Sequence, residues 1–226
     1  SIPKISAQTS GKNFEQSTVE FIKDSIQFIQ HLRGGKFEFF IGKSIEEFEQ
    51  YEHLALLSEA LKTNRELKAT LGDYLINPDI VIGRYPVEDD EINQKDLIVK
   101  NRDLANLTPL RKINSSLKIL HASISCKWTI RSDRSQNARN EGFNLIRNRK
   151  GHTPHIVIVT AEPYPRRIAS LALGTGDIDC VYHFALNELL FAADKLNNEA
   201  VTDILETLVQ GKRLRDISDL PFDLMM

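Results

Sequence analysis

Between Ser123 and Ile130 the chain alternates with a period of two. Ile124, Cys126, Trp128 and Ile130 fall on one side of an extended strand, and Ser125, Lys127 and Thr129 on the other. Lys127 therefore faces a different environment from Trp128, whose side reads as core. The turn Arg131–Ser132–Asp133–Arg134 follows. Ser135 is the expected N-cap of a helix that turns Ala138, Leu145 and Ile146 inward and ends near Gly151. His155 to Thr160 then encloses the apolar run Ile156 to Val159, the pattern of a strand buried on both faces. Strand, helix and buried strand in succession point to the α/β class, an α/β sandwich.

The flanking sequence agrees. Apolar positions from Phe14 to Leu32 recur at mostly helical spacing, so Asn13 to Leu32 reads as a helix stopped by Gly34–Gly35. Lys36 to Gly42 fits a short strand, and Ser44 to about Leu71 fits one or two helices. Pro78 to Gly83 sets Asp79 at the start of the short apolar strand Ile80–Val81–Ile82, and Glu88 to Leu107 reads as a polar loop with room for a short helix. Beyond Thr160 come a helix from about Arg167 to Leu173, a strand around Cys180 to Tyr182, and amphipathic helices over Leu186–Leu196 and Glu199–Val209. With no internal repeat or Pro/Gly/Ser-rich linker, residues 1–226 read as a single domain.

Several function classes are excluded early. The longest apolar run, Leu189 to Ala193, is five residues, against the ~20 needed to span a membrane as a helix. Cys126 and Cys180 are the only cysteines, which fits a reducing compartment, the cytoplasm, and offers neither a disulfide framework nor a four-cysteine zinc site. Ser1 in place of Met, with no signal-peptide pattern behind it, reads as a trimmed or truncated start. The six histidines lack metal-ligand spacing, and His155 and His183 read as structural. Gly174–Thr175–Gly176 lacks a P-loop lysine and reads as a tight turn.

A net charge of −2 hides an uneven distribution. Residues 127–150 carry seven basic side chains against Asp133 and Glu141, while residues 44–60 carry five glutamates and no Lys or Arg. The basic stripe suits either a solvated helix face or contact with a phosphate backbone.

The chemistry concentrates on Asp79 and Lys127. If their strands are neighbours, a carboxylate able to hold a divalent metal lies beside an amine able to stabilise a pentacovalent phosphate or orient the attacking water. Nucleases usually add an acidic residue two before the lysine; here that position is Ser125, and Glu141 on the following helix is the candidate replacement. In the Arg-Ser-Asp-Arg turn, arginine can donate two hydrogen bonds to guanine O6 and N7, and aspartate can accept from cytosine N4, which suits a C·G-rich site.

The block Ser125–Cys126–Lys127–Trp128–Thr129–Ile130–Arg131–Ser132–Asp133–Arg134, with Glu141 downstream, resembles the type II restriction endonucleases that cut at a CCGG core. The resemblance runs on through Asn144 to Gly151, Thr160–Ala161–Glu162–Pro163, Gly174 to Cys180 and Asp216 to Pro221. It implies the restriction-endonuclease-like, PD-(D/E)xK fold, a central mixed β-sheet flanked by α-helices. It also implies Mg²⁺-dependent double-strand cleavage at GCCGGC that leaves 5′-phosphates and 5′ overhangs. Carried onto this chain, Asp79 and Glu141 become metal ligands together with the Cys126 main-chain carbonyl, and Lys127 the catalytic lysine. Glu15 resembles an additional acidic residue, while its reading as a surface helix glutamate stays open. Arg131 and Arg134 read guanines and Asp133 cytosines; Arg167 reads the outer guanine and Gln8 the minor groove. Two Mg²⁺ per active site, double-stranded DNA as partner, and a homodimer pairing into a homotetramer complete what is implied. Two other readings predict different products: a silent sequence-specific DNA-binding module would bind and never cut, and a structure-directed repair nuclease would cut irrespective of sequence.

Overall fold

The computed structural model describes residues 7–71, 76–100, 104–174 and 176–226. A helix, α1 (Ala7–Ile29), precedes the edge strand β1 (Phe37–Ile41), and two 3₁₀ turns lead to α2 (Leu54–Thr63) and α3 (Arg65–Leu71). Then come β2 (Ile80–Arg84), the short α4 (Asp89–Ile92), β3 (Ile119–Lys127), α5 (Ser132–Asn148), β4 (His155–Thr160) and α6 (Pro165–Ala172). The chain finishes with β5 (Cys180–His183), α7 (Leu186–Lys195), α8 (Glu199–Gln210), β6 (Leu214–Asp216) and α9 (Leu220–Asp223).

Among the described residues six strands lie in sequence order, β1 to β6, in one mixed sheet. β1 and β3 run antiparallel to β2, while β3 through β6 are parallel. One face is covered by α1, whose Phe14, Ile22 and Ile26 recur at multiples of four, and by Leu220, Leu224 and Met225 around α9. Ile80, Ile82, Ile124, Cys126, Val157 and Val159 meet them from the sheet. Ile158 and Val181 point the other way, into a cluster with Ala138, Ile168, Leu171, Leu205 and Leu208 from α5, α6 and α8. A third cluster joins Phe48, Tyr51 and Leu54 to Val81, Leu120 and Leu145. This is the expected α/β sandwich, and β4, sealed on both faces, matches its predicted bounds.

The differences from the sequence expectation have local causes. β3 begins at Ile119, earlier than the alternation suggests. Its register against β2 slips between Ile82 and Gly83, which pair with Ala122 and Leu120, leaving His121 as the extra, bulged residue. Leu120 and Ala122 therefore face different clusters although they are two apart. The strand also ends at Lys127, so Trp128 leaves the pleat and is 42% exposed, correcting its expected core placement. Ile130 likewise packs into the cluster opposite Cys126. Helix α5 starts at Ser132 with Arg131 in extended backbone before it, so Ser135 sits inside the first turn and is not the N-cap. Helix α1 starts before Asn13, and its Phe28 is exposed, outside the buried stripe. The short β6 and α9 carry no periodic signal long enough to read. No helix among the described residues is long and apolar enough to cross a membrane.

Candidate active site

Asp79 precedes the first residue of β2, Lys127 is the last residue of β3, and the two strands are neighbours. The Lys127 Nζ donates to Asp79 Oδ2 at 2.8 Å, and the same oxygen accepts the Cys126 N–H at 2.8 Å. The Asp79 main chain is held in turn, its carbonyl accepting from Gly42 N–H at 3.0 Å. Ser125, one pleat before Lys127 on the same face, donates its hydroxyl to Glu141 Oε2 at 2.9 Å from the middle of α5. Position 125, where nucleases usually carry an acid, thus holds Glu141, the candidate replacement, by a hydrogen bond.

Burial raises the Glu141 pKa and Asp79 adds to the rise, while Lys127 and the Ser125 hydroxyl pull the other way. Glu15, on α1 across the sheet, is raised by the same two causes, burial first and then the Asp79 charge, and is lowered by Lys127. Glu15 thus lies within electrostatic reach of the pair. Asp79 and Lys127 are in contact, Glu141 is tied to the same strand end through Ser125, and Glu15 acts on the pair electrostatically from the other side of the sheet.

Cys126 directs its side chain into the α1 core, where burial, and secondarily Asp79, push its thiol pKa up, so it is no nucleophile. A strand residue presents its N–H and C=O to the same edge. The Cys126 carbonyl therefore faces the Asp79 side, whereas the Lys127 carbonyl faces β4 and accepts from Thr160 Oγ1 at 2.7 Å and Ala161 N–H at 3.3 Å. No group of three or more His, Cys, Asp or Glu side chains among the described residues forms a ready-made metal cage.

Arg131 is exposed in the extended residue before α5. Asp133 and Arg134 lie in the first turn of α5, with side chains outside those described. Arg167, on α6, stacks its guanidinium 4.9 Å from the Tyr164 ring centre. Gln8 is exposed at the beginning of α1. Next to the site, Trp128 meets Phe14 edge-on at 5.4 Å and Phe184 at 6.3 Å, a partly exposed aromatic group. Sequence reasoning missed Ser125 as the partner of Glu141 and Glu162 as a buried carboxylate; the one available signal for Glu162 was an acid directly after an apolar strand. His183 is structural as expected: its ring is buried, with Nδ1 accepting from Ala185 N–H and Nε2 contacting the Glu162 carbonyl.

Residues 2–226 match the family described as NgoMIV restriction enzyme. The chain is 51% identical over 227 positions to the type II restriction enzyme NgoMIV of Neisseria gonorrhoeae, covering 98% of this chain and 79% of that one. Among solved structures it is similar to the type IIF restriction endonuclease Bse634I with cognate DNA, at 14% identity and a TM-score of 0.44, over 100% of this chain and 79% of that one. It is also similar to the restriction endonuclease PspGI in complex with substrate DNA, at 14% identity and a TM-score of 0.37, over 97% of this chain and 66% of that one.

Proposed function

The chain belongs to the NgoMIV restriction enzyme family, and on that premise we propose how this type II restriction endonuclease recognises and cuts its site. It cleaves both strands of DNA at GCCGGC, leaving 5′-phosphates and 5′ overhangs. The observation that supports this most is the convergence of Asp79, Lys127 and Glu141 at the paired ends of β2 and β3, one turn of chain before Arg131.

The family uses a divalent metal, and the donor set here suits Mg²⁺. The Asp79 and Glu141 carboxylates and the Cys126 carbonyl are hard oxygens, with Glu15 within electrostatic reach of Asp79. Mg²⁺ takes one or two carboxylates and keeps several waters, so no all-protein cage is required. Crowded, partly buried carboxylates that resist ionisation are stabilised when a divalent cation is added. When bound, two such ions per site neutralise charge on the scissile phosphate and lower the pKa of the attacking water.

The protein's own groups do the rest. Asp79 holds the Lys127 ammonium at the site, where it stabilises the negative charge that grows on the phosphate as water attacks. Ser125 fixes the Glu141 carboxylate so that it does not swing into solvent. Arg131 and Arg134 donate to guanines, Asp133 accepts from cytosine N4, Arg167 reads the outer guanine and Gln8 the minor groove. A palindromic site calls for a two-fold homodimer, and two dimers pair into a tetramer. The chain works as one endonuclease domain in the cytoplasm.

The test is digestion of a sequenced DNA containing several CCGG-core sites, with Mg²⁺ and with EDTA, followed by sequencing of the fragment ends. Uniform ends within GCCGGC, formed only with Mg²⁺, are expected. Retention of CCGG duplex in a gel shift without any cutting would favour the silent binder, and cutting irrespective of sequence would favour the structure-directed nuclease.

A further inference from the structure

Glu162, in the turn between β4 and α6, has no exposed surface. A buried carboxylate is costly unless its oxygens are filled, and the way they are filled says what it is for. Oε2 accepts the Ile130 N–H at 2.7 Å and lies 3.5 Å from Arg167 Nη1; Oε1 accepts the Tyr164 N–H at 3.2 Å. Ile130 is buried immediately before Arg131, so the first bond fixes the point from which the arginine turn departs. The other contacts hold the entry to α6 and one side of the Arg167 guanidinium, whose side chain is otherwise 52% exposed and stacked on Tyr164. Glu162's own N–H donates to Thr160 Oγ1 at 3.1 Å, and that hydroxyl donates to the Lys127 carbonyl. One turn therefore joins the end of the catalytic strand, the arginine turn and Arg167.

We propose that Glu162 is a positioning residue that holds the Arg131 turn and Arg167 in one frame, so that inner and outer base pairs are read together. This rests on the reading above, in which Arg131 and Arg167 contact bases. Backbone N–H groups alone are satisfied by a neutral acceptor; the formal charge at a buried position is explained by Arg167, whose planar fork a carboxylate orients while leaving other N–H donors free for a guanine.

The experiment measures single-turnover cleavage and gel-shift affinity of full-length Glu162→Gln, Glu162→Ala, Arg167→Ala and the Glu162→Ala/Arg167→Ala pair. The duplexes carry GCCGGC, the outer-pair change ACCGGT and the inner change GCTAGC. Glu162→Ala is expected to reduce discrimination against both changed duplexes by about tenfold or more. Glu162→Gln, which keeps an oxygen for Ile130 but lacks the charge, is expected to lose only outer-pair discrimination. The double variant should discriminate at the outer pair no worse than Arg167→Ala alone, because the two residues act through one contact. A folded Glu162→Ala protein with unchanged discrimination, or one slowed equally on all duplexes with a lower Tm, would show a merely structural role and overturn the proposal. If Glu162→Ala does not fold, Glu162→Gln decides, and intact outer-pair discrimination overturns it. If Arg167→Ala itself discriminates like the parent, the base-reading assignment fails and takes the proposal with it, an outcome distinct from failure at Glu162.

Discussion

β3 carries a titratable group near each of its ends, and the two ends meet the cost of burial in opposite ways. At one end His121 sheds its charge. Burial, then His155 and the Arg33 and Arg84 guanidiniums, push its pKa down to about 3. Its ring packs against Phe37 at 4.8 Å and His155 at 5.1 Å, and Nε2 contacts the Leu224 carbonyl at 2.7 Å. At the other end Lys127 sits 2.8 Å from Asp79 with Glu141 and Glu15 in electrostatic reach, and both glutamates are raised in pKa by burial and by the Asp79 charge. The first arrangement is what a core does with a polar group; the second gathers charges that apolar side chains would replace at no loss of stability. The same strand and sheet thus separate a stabilising end from the end proposed to work on DNA.

The contrast breaks hardest at Asp79. Asp79→Ala removes the acceptor of both Lys127 and the Cys126 N–H, and its cleavage rate in Mg²⁺ should fall by about 10³-fold with affinity for the cognate duplex largely kept. Gel shift alongside single-turnover kinetics reads both. Next in size is the joint between the two ends. Ile124 has no exposed surface and sits between Ile80 and Val157, so Ile124→Ala should cost about 3 kcal/mol in denaturant unfolding.

Smaller, and specific to the histidine end, is a pH effect. Folded protein keeps His121 neutral where the unfolded chain, with a pKa of 6.5, takes up a proton, so stability is full above that pH and drops as pH falls toward about 3. At about pH 5 the loss from His121 is about 2 kcal/mol, and His121→Gln should flatten the pH profile by that amount. His155 and His183 are lowered in the same sense, chiefly by burial, and leave a residual slope. Least visible is the thiol chemistry: Cys126 and Cys180 are buried with raised pKa values, so a thiol reagent should label neither until the protein unfolds.

The Lys127 end was more legible in the amino-acid sequence than its surroundings. Pro78–Asp79 marks a strand start, short-range alternation sets Lys127 on the face opposite the core, and Glu141 follows on the next helix, so the grouping needed only neighbouring strands. Trp128 was misplaced because alternation does not report where a strand stops, and Ser135 because Ser is a common cap while the residue that precedes α5 here is Arg131. The bulge at His121 depends on β2, forty residues upstream, and leaves no local mark. Glu162 was hidden for the same reason: its partners Ile130 and Arg167 come from two other segments, and only their convergence gives the carboxylate a purpose.

The central claim is that the paired ends of β2 and β3 are where DNA is cut. Its most direct test is Lys127→Ala, with single-turnover cleavage of a GCCGGC duplex in Mg²⁺ measured beside the gel-shift affinity for that duplex. Loss of cleavage by about 10²-fold or more with affinity retained is the predicted result. Cleavage at the parental rate would contradict the account and place the chemistry elsewhere on the molecule.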